Sequence, residues 1–206
     1  TPIKSSAASD VYKRQHQYLT VTDSIMYDRE VGLYYRDAKY PYPFHKTING
    51  KKDFWSRGDG WAFAAFAKVL KQLPAEDKYR EEYITRFQTM AKSIAACQQP
   101  EGYWTRSLID PEQAPGPETS GTALFTYGFL WGINNGLLNA DIYSPIVEKA
   151  WNYLKTTALQ ADGKIGYIQP VGEKAIPGQV VDANSCFNFG IGAFLLAACE
   201  RVRFLQ

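Results

Sequence analysis

Apolar positions along the chain fall into two alternating kinds of run. In one kind almost every residue is apolar: Trp61-Ala62-Phe63-Ala64-Ala65-Phe66-Ala67-Lys68-Val69-Leu70, then Ala123, Leu124, Phe125, Tyr127, Phe129, Leu130 and Trp131, then Gly190-Ile191-Gly192-Ala193-Phe194-Leu195-Leu196-Ala197-Ala198. These runs predict helices beginning near Trp61, Ser120 and Asn188, and a helix apolar on every side has to be covered on every side. In the other kind the apolar residues form one stripe. Tyr79, Tyr83, Phe87, Met90 and Ile94 step by four, four, three and four, with Arg80, Glu81, Arg86 and Lys92 on the opposite face. Tyr143, Val147, Ala150 and Leu154 repeat the pattern, in a helix opened by Asp141 as candidate N-cap with Pro145 in its first turn. Helices with one apolar stripe belong on the outside.

A short unit marks the period of this alternation. Gly32-Leu33-Tyr34-Tyr35, Gly102-Tyr103-Trp104 and Gly166-Tyr167-Ile168 stand 70 and 64 residues apart, and each precedes a loop and then an apolar-all-round helix. One inner and one outer helix per unit implies two concentric layers, with all the Gly-aromatic segments at the end where the inner helices begin. The predicted fold is all-α, an incomplete (α/α)6 barrel of helical hairpins, about three of six hairpins being present. Its open flanks are expected to expose apolar surface. A stub of a further helix is read at 18–28, and residues 1–15 as a non-native or disordered tail.

Composition narrows the function classes. The 206 residues are enough for one domain, 45% are hydrophobic, and 23 basic against 21 acidic side chains leave a net charge of +2. That balance gives no electrostatic case for nucleic acid or a membrane surface. No apolar stretch reaches the roughly 20 residues of a membrane helix. Cys97, Cys186 and Cys199 are widely spaced and read as buried free thiols; with only His16 and His45 beside them, no structural metal site is expected. The 14 Tyr and 5 Trp suit either sugar stacking or a large helical core. The sequence fixes no compartment; a bacterial cytoplasm or periplasm is the expectation.

Candidate chemistry concentrates in residues 32–61, which read G-L-Y-Y-R-D, then a Pro- and Tyr-rich loop, then F-W-S-R-G-D-G-W. A loop of that length on a rigid scaffold commonly holds function. In this order and spacing, and with Glu118-Thr119-Ser120-Gly121, Gly132-Ile133-Asn134 and residues 190–196 following, the chain resembles the unsaturated glucuronyl and rhamnogalacturonyl hydrolases of glycoside hydrolase families 88 and 105. The resemblance covers nearly everything after about His16, so 16–206 reads as the C-terminal part of one such domain.

The resemblance implies a reaction without metal or organic cofactor. The enzyme hydrates the carbon 4–carbon 5 double bond that a lyase leaves in a sugar acid, and the resulting hemiketal releases the neighbouring sugar. The expected partner is therefore an unsaturated uronate-containing oligosaccharide. By motif, Asp37 matches the catalytic aspartate, although other members place two more residues between the Tyr pair and that acid. Arg57 and Trp61 match an Arg and Trp of the substrate pocket, Arg57 as a two-pronged carboxylate ligand. Tyr35 and Trp55 are further binding candidates, and Glu118, Ser120 and Asn188 open the next two inner helices and are further candidates for the same rim. Asp59 reads as a turn or helix-capping residue. The family's second aspartate is expected outside this sequence, so the chain alone is expected to be inactive. The F-W-x-R-G-x-G-W variant looks closer to the rhamnogalacturonyl branch, which implies release of unsaturated galacturonate from rhamnogalacturonan oligosaccharides. Three other readings stay open: an unsaturated glucuronyl hydrolase, another (α/α)6 sugar enzyme such as an epimerase, for which His45 is the available histidine, and a non-catalytic helical repeat that binds a partner.

Overall fold

The computed structural model describes residues 6–206. Six α-helices carry the fold: α1 (Ser6–Met26), α2 (Ser56–Gln72), α3 (Arg80–Ala96), α4 (Thr119–Asn134), α5 (Ala140–Tyr153) and α6 (Asn188–Phe204). Between α1 and α2 lies a two-residue antiparallel ladder, β1 (Tyr27–Asp28) against β2 (Leu33–Tyr34), which pairs Tyr27 with Tyr34 and Asp28 with Leu33.

The two helix classes sort into two layers. In the inner row α4 packs between α2 and α6, and it is buried from Thr119 to Gly132. Glycines bring α2 and α4 together: a Cβ at Gly121 would sit 2.2 Å from the Ser56 hydroxyl, and one at Gly128 would sit 2.3 Å from the Phe63 ring. The outer row places α3 on α2 and α5 on α4. The α3 stripe buries Tyr83, Phe87, Met90 and Ile94 as its spacing requires, and Val147, Ala150 and Leu154 do the same beyond α4.

Several boundaries differ from the sequence reading. α2 starts at Ser56, five residues before Trp61, because extended Trp55 bridges Ser107 and the helix begins at once. Gly58 and Gly60 disfavour a helix by propensity, but a side chain at Gly60 would press on Leu124, so packing against α4 overrides propensity. In α5 the capping side chain is Asn139, which accepts the Asp141 N–H, rather than Asp141 itself. The expected disordered tail is helical from Ser6, and residues 1–5 of it lie outside the described residues. Between Pro2 and Gly32 the sequence has neither Pro nor Gly, so nothing breaks α1. Half-buried Tyr12 packs on the core and donates to the Gln72 carbonyl at 3.2 Å. α1 belongs to the outer row: His16 stacks on Tyr79 of α3 at 3.6 Å, and Asp23 pairs with Arg86 at 2.5 Å. The thiols are free but less buried than expected, Cys97 and Cys186 partly and Cys199 exposed on α6.

All three Gly-aromatic segments return to one end, where the inner helices begin. Tyr34 N–H reaches Asp59 in the first turn of α2, Glu118 N–H reaches the Trp104 carbonyl, and Thr119 N–H reaches the Tyr167 carbonyl. The glycines allow the outer helices to come close. At Gly102 φ is +97°, and a Cβ would lie 2.2 Å from the Lys149 carbonyl oxygen of α5. Gly102→Ala therefore combines left-handed strain with backbone overlap, together about 3 kcal/mol. For a chain of this size that lowers Tm by roughly 10 °C, which calorimetry measures.

Apolar side chains are exposed at both flanks of the layers: Tyr18, Val21 and Ile25 on α1, Trp61 on α2, and Leu195 and Val202 on α6. The central helix α4 has none.

Candidate functional site

The rim at the N-terminal ends of α2, α4 and α6 is built around Arg57. Its guanidinium donates to the carbonyls of Gln169 at 2.5 Å and Pro170 at 2.8 Å, and lies 3.5 Å from the Ser120 hydroxyl. The rings of Trp55 and Phe189 cover it from either side, each centroid 4.7 Å away. Burial pulls its pKa down, and Glu118 at 4.0 Å works against that shift. Arg57 is 4% exposed. Its fork is thus committed to backbone carbonyls, and the two-pronged uronate contact expected from the sequence is not open in this arrangement. The reason lies in residues 169–170, which the sequence reading did not place.

Glu118 is the anion of this centre. It caps α4, accepting the Ser120 and Gly121 N–H groups at 3.2 and 2.6 Å, and also accepts the Ser120 hydroxyl at 2.6 Å and the Gln169 N–H at 3.1 Å. Gln169 in turn accepts from the Trp55 indole N–H at 2.8 Å. Ser120, Glu118, Trp55 and Arg57 therefore form one buried network. Asn188 is on the surface at the start of α6; its neighbour Phe189 is the residue that reaches Arg57. The signal for Gln169 was in the repeat: it stands three residues after Gly166, as Tyr35 stands three after Gly32.

The second part of the rim carries Asp37. Tyr35, whose ring stacks on Phe54 at 4.7 Å, donates its hydroxyl to Asp28 at 2.7 Å, and burial with that bond pushes the phenol up to about 12. Beyond it, Asp37 accepts the Lys39 N–H at 2.8 Å and pairs with Arg36. The Lys39 N–H chiefly, with Arg36 beside it, holds Asp37 below the usual carboxylate range against the opposing effect of burial. The loop that follows is fixed rather than loose. His45 binds buried Asp53 at 2.8 Å, while Asn49 and Lys51 reach buried Asp110 at 3.1 and 3.2 Å.

A cavity of about 290 Å³ opens between α1 and α2. Tyr35, Arg36 and Trp55 are part of its wall, together with Leu19, Met26 and Ala62. Asp37 adjoins this wall through Arg36, whereas Arg57 lies behind Trp55. Trp61 is 46% exposed, one turn further along α2, and is not part of the wall. Among the described residues no hydrogen bond or ion pair joins Asp37 to Arg57 or Trp61, and no group of three or more His, Cys, Asp and Glu is placed to hold a metal ion. Among the described residues no helix is long and apolar enough to cross a membrane.

Comparison with known proteins gives the family. The family model described as Glycosyl Hydrolase Family 88 matches residues 4–205. An unsaturated 3S-rhamnoglycuronyl hydrolase of Formosa agariphila is 38% identical over 189 residues, which are 90% of this chain and 49% of the relative. A solved glycosyl hydrolase family 88 protein from Bacteroides vulgatus is 98% identical with a TM-score of 0.91, over 94% of this chain and 56% of that one. A possible member of GH105 from Salmonella enterica, 21% identical, shares the fold with a TM-score of 0.77 over 95% of this chain and 50% of that one. The chain spans about half the length of the relatives it matches. It belongs to glycosyl hydrolase family 88.

Proposed function

We propose that this chain forms part of a hydrolase that removes an unsaturated uronate from oligosaccharides left by lyases, those of rhamnogalacturonan first, by hydrating the carbon 4–carbon 5 double bond. The observation that carries the reading is the union of the two motif segments. Tyr35 and Arg36 of the first and Trp55 of the second wall one cavity, at whose edge Asp37 stands. Aromatic faces suit sugar rings, Arg36 suits a carboxylate, and Asp37 supplies the acid–base group. Asp37 is ionised as it stands, which fits activation of the attacking water. Donation of a proton to carbon 4 requires a proton taken up from solvent and a looser Arg36. The name of two matching relatives, unsaturated 3S-rhamnoglycuronyl hydrolase, supports an unsaturated uronate next to rhamnose as the substrate class.

No observation favours the epimerase reading, since His45 pairs through one ring nitrogen with Asp53 and is not among the residues that wall the cavity. We also propose that these hairpins are about half of a closed (α/α)6 ring, whose remainder covers the flanks and completes the pocket. This chain alone is then inactive. The test is to incubate the protein at its full natural length with unsaturated rhamnogalacturonan disaccharide and follow the ultraviolet absorbance of the conjugated double bond. Falling absorbance supports the proposal, and steady absorbance with every unsaturated uronate offered ends it.

Arg57 acts in this reading through the wall it holds. Arg57→Ala frees the Gln169 and Pro170 carbonyls and leaves Glu118 buried without its cation. We expect KM to rise and Tm to fall together, by about 3–5 kcal/mol of stability. A rise in KM with unchanged Tm would instead mark a direct substrate ligand.

A further inference from the structure

Asp59 stands out among the buried groups. It is fully buried in the first turn of α2. One carboxyl oxygen accepts the Tyr34 N–H at 2.8 Å, and the other has no hydrogen-bond partner among the described residues. It forms no ion pair there with any Lys, Arg or His. The capping role read from the sequence does not hold, since Trp55 occupies the N-cap and the one bond Asp59 makes crosses to a residue 25 positions away.

The charge state follows from magnitudes. Burying an ion costs several kcal/mol even after relaxation. The dipole at a helix N-terminus returns about 0.3–2 kcal/mol, and one neutral N–H about 1. The balance favours the uncharged acid. Burial pushes the Asp59 carboxyl well above the usual range, with the Tyr34 N–H opposing. The thiol of Cys97, which follows α3, is pushed up to about 12, by burial first and by Asp59 second.

What Asp59 grips is the strand that leads to Asp37. That strand is tied by side chains to α1, Tyr34 to Asp23 at 2.5 Å, and to β1, Tyr35 to Asp28 at 2.7 Å. The carboxyl of Asp59 is the hydrogen bond that ties its backbone to α2, the helix that also carries Gly58 and Ala62 in the cavity wall. We propose that Asp59 is a positioning residue held uncharged, which fixes the Tyr34 amide and thereby seats the Tyr35–Arg36–Asp37 segment against the cavity. The inference rests on the assignment of Asp37 made above.

The experiment uses the protein at its full natural length, with Asp59→Asn and Asp59→Leu. Asn keeps the accepting oxygen and the uncharged state; Leu keeps the size and removes the acceptor. An infrared difference spectrum at neutral pH, wild type minus Asp59→Asn, should show a protonated-carboxyl band that shifts in heavy water. Asp59→Asn should retain turnover and fold. Asp59→Leu should lose about a hundredfold in kcat, the cost of misplacing a reacting group, with KM little changed. Should Leu fail to fold, Asp59→Ser, too short to reach Tyr34, replaces it. A missing carboxyl band, or wild-type kcat in the Leu or Ser variant, overturns the proposal. If Asp37→Asn leaves turnover intact, the reading of Asp37 fails and Asp59 loses its positioning role with it. The infrared band answers separately, because it needs no activity.

Discussion

Asp37→Asn should lower kcat by about a hundred- to ten-thousand-fold, the range over which general acid–base groups contribute, while leaving the fold intact. The two halves of that expectation come from different observations. The kinetic half rests on Asp37 standing beside Arg36, which with Tyr35 and Trp55 walls the cavity. The structural half rests on what Asp37 touches: the Lys39 N–H, which an amide oxygen also accepts, and partly exposed Arg36. An exposed pair of that kind contributes about 0–1 kcal/mol. The sign of the pH effect also follows. A carboxyl held below its ordinary range is stabilising above the unfolded-state value, and that contribution is lost as pH falls through the folded value. Arg36→Ala relaxes the hold and moves the Asp37 pKa upward. If the protonated form delivers the proton to carbon 4, the alkaline limb of kcat moves to higher pH in that variant. Turnover by ultraviolet absorbance and fold by circular dichroism are measured on the same samples. Wild-type turnover in Asp37→Asn would remove Asp37 from the site, whatever the fold.

How much of this could be read from the sequence depended on whether the signal was periodic. The stripe from Tyr79 to Ile94 carries the outer helix α3 because burial must repeat at helical spacing, and all its inner members but Tyr79 are fully inside. The apolar run of α4 is buried on every side for the same reason. The Gly-aromatic repeat placed the end at which the inner helices begin, since each copy leads the chain to the start of one. Helix starts were less legible. Glycines at 58 and 60 argue against a helix locally, and the reason for Gly60 is Leu124, more than sixty residues away. The partners of Arg57 were also hidden. Carbonyls donate no side-chain signature, so nothing in residues 169–170 announced that they would occupy a guanidinium. Asp59 was misread for a related reason: an acid in a helix's first turn looks like a cap, and only its burial shows that it serves a strand instead.

Glu118→Ala should be the most destabilising single substitution at the rim, and the argument is one of counting. Four hydrogen bonds end on this carboxylate: the Ser120 and Gly121 N–H groups at the start of α4, the Ser120 hydroxyl, and the Gln169 N–H. Arg57 lies 4.0 Å away and is itself 4% exposed. Removing the acid leaves two helix amides and a loop amide without an acceptor, at about 1–3 kcal/mol for each buried donor that water does not reach. It also strands a buried guanidinium, and breaking a buried pair from one side costs about 3–5 kcal/mol. Relaxation and entering water recover part of that sum, so about 5 kcal/mol is the expected net loss, a large share of the 5–15 kcal/mol that holds a domain together. Glu118→Gln keeps one acceptor oxygen at nearly the same place but presents N–H groups to N–H donors on the other side. It should fall between the two, at about 2–3 kcal/mol. The Arg57→Ala, Glu118→Ala double variant separates the pair from the cap. If stranding Arg57 is a major part of the loss, the double variant is more stable than the sum of the single losses requires, by about 1–3 kcal/mol in urea unfolding. Strict additivity would assign the whole effect of Glu118 to the α4 cap and the Gln169 amide, and would leave Arg57 held by its two carbonyls and its two aromatic faces alone.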